Sequence, residues 1–308
     1  MTLKLHNIDI IGYDCGWGCA DYGCEDGPAA VDAQRLLATL ATIGFTAQWH
    51  GPLGLRALGD HAQLKDKQAT LPLVTTALDR LCAATTASIT AGNLPLVLGG
   101  DHSSAIGTWS GIISALKAPR KFGLIWIDAH MDCHTDQTAH EGKWGGWWHG
   151  QPVPALCGHG LDTFTNLAAS GAKLSPEHIS IIGPHSFEPA EEAFVTKHGI
   201  RVYKLDEIKT RGFESVFAEA MARAKTGTEA FGMTIDLDAF CAADAPGVGT
   251  AEDDGLTAAE VLPIIRGAAH QSGFSGLEIV EFNPHKDIDR KTAQLIEKLV
   301  ENIFTNPA

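Results

Sequence analysis

Three short clusters carry most of the chemistry this sequence can perform: Gly99-Gly100-Asp101-His102-Ser103, Asp128-Ala129-His130-Met131-Asp132 and Asp236-Leu237-Asp238. Each closes an apolar run that reads as buried strand. Together they offer carboxylates and two imidazoles, the ligand mixture that holds a pair of hard divalent cations around one activated water. Just past a strand, positions i, i+2 and i+4 project to one side, so Asp128, His130 and Asp132 act as a set, and Asp236 and Asp238 repeat the spacing. His102 follows a Gly-Gly turn, where missing side chains let the backbone bend tightly. Carboxylates packed this closely repel one another and take up protons unless cations compensate. Metal binding and charge balance thus point the same way, to a two-metal hydrolase that needs no serine or cysteine nucleophile. Taken singly, each aspartate is equally a helix cap or turn former; the three clusters with two histidines favour the metal. Oxygen ligands dominate and no thiol belongs to the set, so Mn²⁺ is expected ahead of Zn²⁺, with Mg²⁺, Fe²⁺, Co²⁺ and Ni²⁺ open.

The elements that must position these groups alternate along the chain. Strands are expected over residues 6–13, 94–99, 122–128, 179–183, 201–205, 231–237 and 277–282, and helices over 28–43, 72–92, 103–116, 189–198, 206–224, 258–271 and 290–303. Continuous Val/Ile/Leu strands between amphipathic helices predict a parallel sheet covered on both faces. Ligands of such sheets bind beyond the carboxyl ends of the strands, where all three clusters fall and where Glu281 lies near the end of the 277–282 strand. No repeat, low-complexity tract or Pro/Gly/Ser linker interrupts the pattern, which predicts one domain over 1–308.

The formal charge of −14 makes nucleic acid and anionic membranes poor partners and suits a cationic small molecule. No apolar run reaches the roughly 18–20 residues of a membrane span, and the N-terminal residues lack a signal peptide's pattern, so a cytoplasmic protein is expected. Seven cysteines stand at 15, 19, 24, 82, 133, 157 and 241. Free thiols are expected rather than a disulfide framework, and the Cys15, Cys19, Cys24 spacing matches no common zinc module. Gly99-Gly100-Asp101-His102 lacks the Gly-x-x-x-x-Gly-Lys pattern of a phosphate loop.

The three clusters, in order, resemble the signatures of the ureohydrolase (arginase/agmatinase/formimidoylglutamase) family: Gly-Gly-Asp-His-Ser, Asp-Ala-His-x-Asp and a strand ending Asp-x-Asp. Gly23-x-x-x-Gly27-Pro28 and the loop Ala245-Pro246-Gly247-Val248-Gly249-Thr250 resemble two further family turns. The resemblance spans nearly the whole chain and implies a three-layer α/β/α sandwich with a mainly parallel central sheet, and a homo-oligomer, trimer or hexamer. It implies two Mn²⁺ per subunit: one held by His102, Asp128, Asp132 and Asp236, the other by His130, Asp128, Asp236 and Asp238. Asp101 is then a supporting residue rather than a ligand. Trp148-His149-Gly150-Gln151-Pro152 resembles the arginase His-Gly-x-Pro segment, whose histidine shuttles a proton, and Glu281-Phe282-Asn283-Pro284 resembles the segment whose glutamate grips a guanidinium. Both roles make physical sense. A carboxylate pairs with two guanidinium N–H groups, and a histidine titrates in the range needed to protonate a leaving amine. Asp132 would hold the nucleophile's hydrogen. The implied reaction is hydrolysis of a guanidino or formimino carbon; with arginine the products are ornithine and urea.

Some positions depart from the arginase pattern. Where arginases place an Asn against the substrate α-carboxylate, this chain has His134, and the aspartate that meets the α-amino group is Glu188 within Ser186-Phe187-Glu188. Cys241-Ala242 follows the third cluster where Pro is usual. The segment 144–148 inserts three tryptophans, readable as a lid over the site or as a surface for a neighbouring subunit. Arginase is the leading expectation. Formimidoylglutamase, agmatinase or another guanidino-acid hydrolase follows, and a non-catalytic family member is the reading from another class.

Overall fold

The computed structural model describes residues 7–20, 22–60, 62–63, 66–118, 121–139 and 146–306. Eight strands form one sheet: β1 (Asn7–Gly12), β2 (Thr46–Pro52), β3 (Leu94–Leu98), β4 (Phe122–Ile127), β5 (Ile179–Ile182), β6 (Arg201–Tyr203), β7 (Ala230–Asp236) and β8 (Phe274–Val280). Their spatial order is β2-β1-β3-β8-β7-β4-β5-β6, and every pairing is parallel. Strand side chains alternate between two apolar layers, as the pleat requires. Along β4, Ile125 and Ile127 join Leu36, Val216, Val261 and Leu299 on one face. Phe122, Leu124 and Trp126 join Trp109, Ile112 and Val195 on the other. The helices Ala33–Thr42, Phe213–Lys225, Ala258–Ile265 and Lys291–Phe304 therefore cover one side, with Ser104–Leu116 and Pro189–His198 on the other. That is the expected three-layer sandwich.

Some local expectations need correction. The helix expected over 28–43 is two: Gly27–Ala30 stops at Val31, which turns to extended backbone, and Asp32 caps Ala33–Thr42 by accepting from the Arg35 N–H. The 206–224 helix breaks at Gly212 (φ 82°) into Leu205–Arg211 and Phe213–Lys225. The 258–271 helix ends at Ile265, before Gly267 turns left-handed. Lys67–Ala91 starts a full turn before its expected Pro72 start, capped by Asp66 and holding Pro72 inside its first two turns. Strand β2 went unread: it is an edge strand with alternating exposure, not a continuous apolar run. No helix of the described residues is long and apolar enough to cross a membrane.

The four central strands, β3, β8, β7 and β4, are neighbours, and each delivers one candidate segment from its carboxyl end. Gly100 makes the closure possible. A Cβ there would lie 2.0 Å from the Cys15 carbonyl oxygen. The bare backbone instead lets Gly100 accept from the Glu281 N–H at 2.9 Å.

Candidate metal centre

His102 and the three aspartates expected around it meet at one point. Its Nδ1 lies 3.2 Å from Asp128 Oδ2, 3.0 Å from Asp132 Oδ2 and 3.1 Å from Asp236 Oδ2. His130 Nδ1 lies 3.2 Å from Asp238 Oδ2 and 3.5 Å from Asp128 Oδ1, so Asp128 faces both imidazoles. Two ligand groups thus have metal-binding geometry: His102, Asp128 and Asp236, and Asp128, His130 and Asp238. His102 Nδ1 is buried and makes no well-directed hydrogen bond despite three oxygens around it. That is how a nitrogen is left when its partner is a cation rather than a proton acceptor, and the residues fit a divalent metal pair.

The electrostatics show what the cluster costs without cations. Burial, then the Asp128 charge, pushes Asp132 up to about 7. Burial, then Asp238 and Asp128, holds Asp236 well above the usual carboxylate range. Burial would raise Asp128 too, but the His102 and His130 groups beside it outweigh burial and hold it low. Burial would lower His102, but Asp128, Asp132 and Asp236 win and keep it well above the usual imidazole range. Backbone strain adds to this. Asp132 (φ 50°) and Glu281 (φ 64°) are left-handed without being glycine, a conformation that costs about 1–3 kcal/mol per residue and concentrates at functional sites.

Glu281 reaches the same cleft. Its Oε1 accepts from the His102 N–H at 2.8 Å, across 179 residues of sequence, and Cys24 Sγ donates to Oε2 at 3.1 Å. Burial, then the Asp101 charge, raises it to about 8. His149 lines the cleft with Glu281 and both imidazoles. Three backbone ties hold its segment. The His149 N–H donates to the Gly18 carbonyl (3.0 Å), the His134 N–H to the Gly150 carbonyl (2.9 Å) and the Val153 N–H to the Asp132 carbonyl (3.3 Å). Asp101 supports the first tie: its Oδ2 accepts from the Gly18 N–H at 2.9 Å, and it belongs to neither ligand group. His149 Nδ1 is buried without a hydrogen bond. Burial first, then His130 and His102, lowers its pKa to about 4, so the ring is neutral at pH 7.

His134 also lines the cleft, with Nε2 2.7 Å from Glu188 Oε2 and Nδ1 3.2 Å from Thr138 Oγ1. Of the tryptophan insert, Trp144 lies outside the described residues. Trp148 is an internal anchor. Its indole N–H donates to Thr70 Oγ1 (3.0 Å), and the Lys67 ammonium sits 4.3 Å over its ring. Trp147 lines the cleft. None of the cysteines is in a disulfide: Cys15 is buried, while Cys19 and Cys24 line the cleft.

Sequence reading missed several contributors. Trp126 stacks on His102 (4.2 Å, 21°) and donates to Asp128 Oδ2 at 2.7 Å. Glu252 Oε1 lies 3.2 Å from His130 Nε2. Cys24 and Gly249 pack against Glu281. Only the alternation of Trp126 with Asp128 at i, i+2 was visible in the sequence.

Comparisons with known proteins agree with this geometry. The profile of the Arginase family matches residues 6–305. An arginase of Bacillus caldovelox is 33% identical over 299 residues, 96% of this chain and 97% of its own. An arginase of Brevibacillus brevis is 31% identical over 298 residues, 97% of each chain. The crystal structure of arginase from Bacillus cereus superposes with a TM-score of 0.87 at 29% identity, covering 98% of this chain and 99% of that one.

Proposed function

The chain belongs to the arginase family of metal-dependent ureohydrolases, and from that premise we propose that it hydrolyses L-arginine to L-ornithine and urea with two Mn²⁺ per subunit. The observation that carries the reading is the meeting of His102 Nδ1 with three carboxylate oxygens at 3.0–3.2 Å beside the Asp128–His130–Asp238 group. His102, Asp128, Asp132 and Asp236 would hold one ion; His130, Asp128, Asp236 and Asp238 would hold the other. Those ions would supply an acidified water as nucleophile and positive charge to stabilise the negative charge that develops on attack.

The remaining work falls to the chain's own groups. Glu281 takes the guanidinium; a cation placed against it favours its ionised form and fixes the substrate plane. Asp132 accepts a hydrogen bond from the nucleophile. His149, lowered to about 4 and so neutral at pH 7, would act as a relay rather than a standing acid: its free Nδ1 takes up a proton released by the attacking water and passes it to the leaving amine. His134 meets the α-carboxylate and Glu188 the α-ammonium, the two ends of one zwitterion set against a histidine–carboxylate pair 2.7 Å apart. Trp147 closes the cleft beside them. The same reading takes 1–308 as one domain and the enzyme as a cytoplasmic homo-oligomer; seven free thiols support a reducing compartment.

The test is a substrate panel after Mn²⁺ loading: arginine, agmatine, guanidinobutyrate and formiminoglutamate. Arginine is expected to release urea and ornithine fastest. Arginine inert while another compound turns over would reject the substrate assignment.

A further inference from the structure

Behind the centre lies a carboxylate that the reaction does not use. Glu278 points from the middle of β8 into the protein and is 0% exposed. Its Oε1 accepts from Ser104 Oγ (2.8 Å) and Thr108 Oγ1 (2.6 Å), and its Oε2 accepts from Thr234 Oγ1 (2.8 Å). Thr234, on the neighbouring strand β7, also lies 3.1 Å from His102 Nε2. A hydroxyl has one proton. Thr234 gives it to Glu278, so its oxygen can only accept from His102, which places the imidazole proton on Nε2 and leaves the Nδ1 lone pair facing Asp128, Asp132 and Asp236. The stack of Trp126 fixes the plane of the ring, but a plane permits two orientations related by a half-turn. On the side away from the carboxylates, the contact to Thr234 distinguishes them.

We propose that Thr234 and Glu278 form a buried relay that locks the orientation and tautomer of His102, making them positioning residues for one of the two metal ions. The inference rests on the reading of His102 as a ligand. A chain of histidine, hydroxyl and carboxylate does here what a carboxylate alone does behind many metal-binding histidines, and loss of such a partner typically weakens metal binding by about 10- to 100-fold. His130 has a separate outer partner in Glu252, so the relay should act on one ion.

The test measures Mn²⁺ binding to metal-free wild type, Thr234→Val and Thr234→Ser by equilibrium dialysis with elemental analysis, and melting of each metal-free protein. Thr234→Val keeps the volume and removes the hydroxyl. It is expected to weaken one of two Mn²⁺ by about 10- to 100-fold, with Thr234→Ser returning to within about threefold of wild type. If Thr234→Val fails to fold, Glu278→Met removes the acceptor at similar length, frees the Thr234 proton to turn toward Nε2, and should show the same selective weakening. Wild-type affinity for both ions in the folded variant, or equal loss in Thr234→Ser and Thr234→Val, overturns the relay. A wild type that never binds two Mn²⁺ instead overturns the reading of His102 on which it rests.

Discussion

Gly249 offers a way to separate metal binding from substrate handling. A Cβ placed on Gly249 would lie 2.5 Å from Glu281 Oε2 and 3.0 Å from Cys24 Sγ. The backbone there does not use a left-handed conformation, so Gly249→Ala is a purely steric change. A carbon–oxygen contact relaxes only beyond about 3.2 Å, so the Glu281 carboxylate must retreat by about 0.7 Å. The obstructing atom is the far end of a flexible side chain, so the fold should survive. The retreat nonetheless strains the His102 N–H bond to Oε1 (2.8 Å) that fixes the carboxylate. Displacement of about 1 Å in a substrate-holding group costs roughly 100-fold in rate, or about 2.7 kcal/mol of transition-state stabilisation. None of the six metal-facing side chains touches the new methyl, so Mn²⁺ stoichiometry and melting should stay near wild type while kcat/KM for arginine falls by about two orders of magnitude. A rise in KM alone would show that Glu281 holds substrate and transition state equally; a fall in kcat would show that its plane matters to the chemistry. Wild-type kcat/KM in Gly249→Ala, or loss of turnover together with metal, refutes the placement of Glu281 as the guanidinium grip.

Other perturbations follow from the buried charges. Metal binds the ionised ligands, and Asp132 holds its proton up to about 7 because of burial and then the Asp128 charge. Protons on Asp132 therefore compete below pH 7, with those on Asp236 and His102 adding to them, so Mn²⁺ affinity should climb as pH rises through 7, with proton release on binding. Calorimetric titration from pH 6 to 8.5 checks this, and an affinity independent of pH contradicts it. Lys173 is buried with its ammonium on the Thr165 carbonyl, and burial lowers its pKa to about 8. The unfolded lysine keeps its proton to about 10.5, so the penalty is complete below pH 8 and fades as pH rises toward 10.5. Lys173→Met should raise the melting temperature at pH 7, by at most about 3 kcal/mol of stability, with the gap closing by pH 10. A destabilised variant at pH 7 would show that the bond to Thr165 outweighs the buried charge.

The sheet was legible because seven of its strands lie in short, mostly apolar runs, five of which close on glycine or aspartate. Strand β2 escaped because an edge strand needs only one covered face: Ala47 and Trp49 pack on the core while Thr46, Gln48 and His50 alternate with them. The split helices escaped for a different reason. Helical periodicity runs unbroken through Val31 and Gly212, and the breaks come from backbone angles that a period does not encode.

The site divides along the same line. Its candidate ligands are encoded by neighbours in sequence, as Asp128, His130 and Asp132 or Asp236 and Asp238, so spacing alone announced them. Their supports are encoded by partners far apart: Thr234 meets Glu278 across 44 residues, Ser104 meets Glu278 across 174, and Cys24 meets Glu281 across 257. No local pattern marks Glu278 as anything but a charge misplaced in a strand. That difference has an energetic side. Crowded carboxylates and two left-handed residues are unfavourable in the metal-free chain, and the surrounding core must hold them in place. Cations that bind the folded arrangement and not the unfolded chain offset that cost, so metal affinity becomes part of folding stability, at about 2.7 kcal/mol per site when free metal is a hundredfold above Kd. The rigidity supplied by Trp126, Thr234 and Glu278 is thus the condition for binding: a cluster free to relax would separate its charges, protonate, and lose the arrangement that calls for metal.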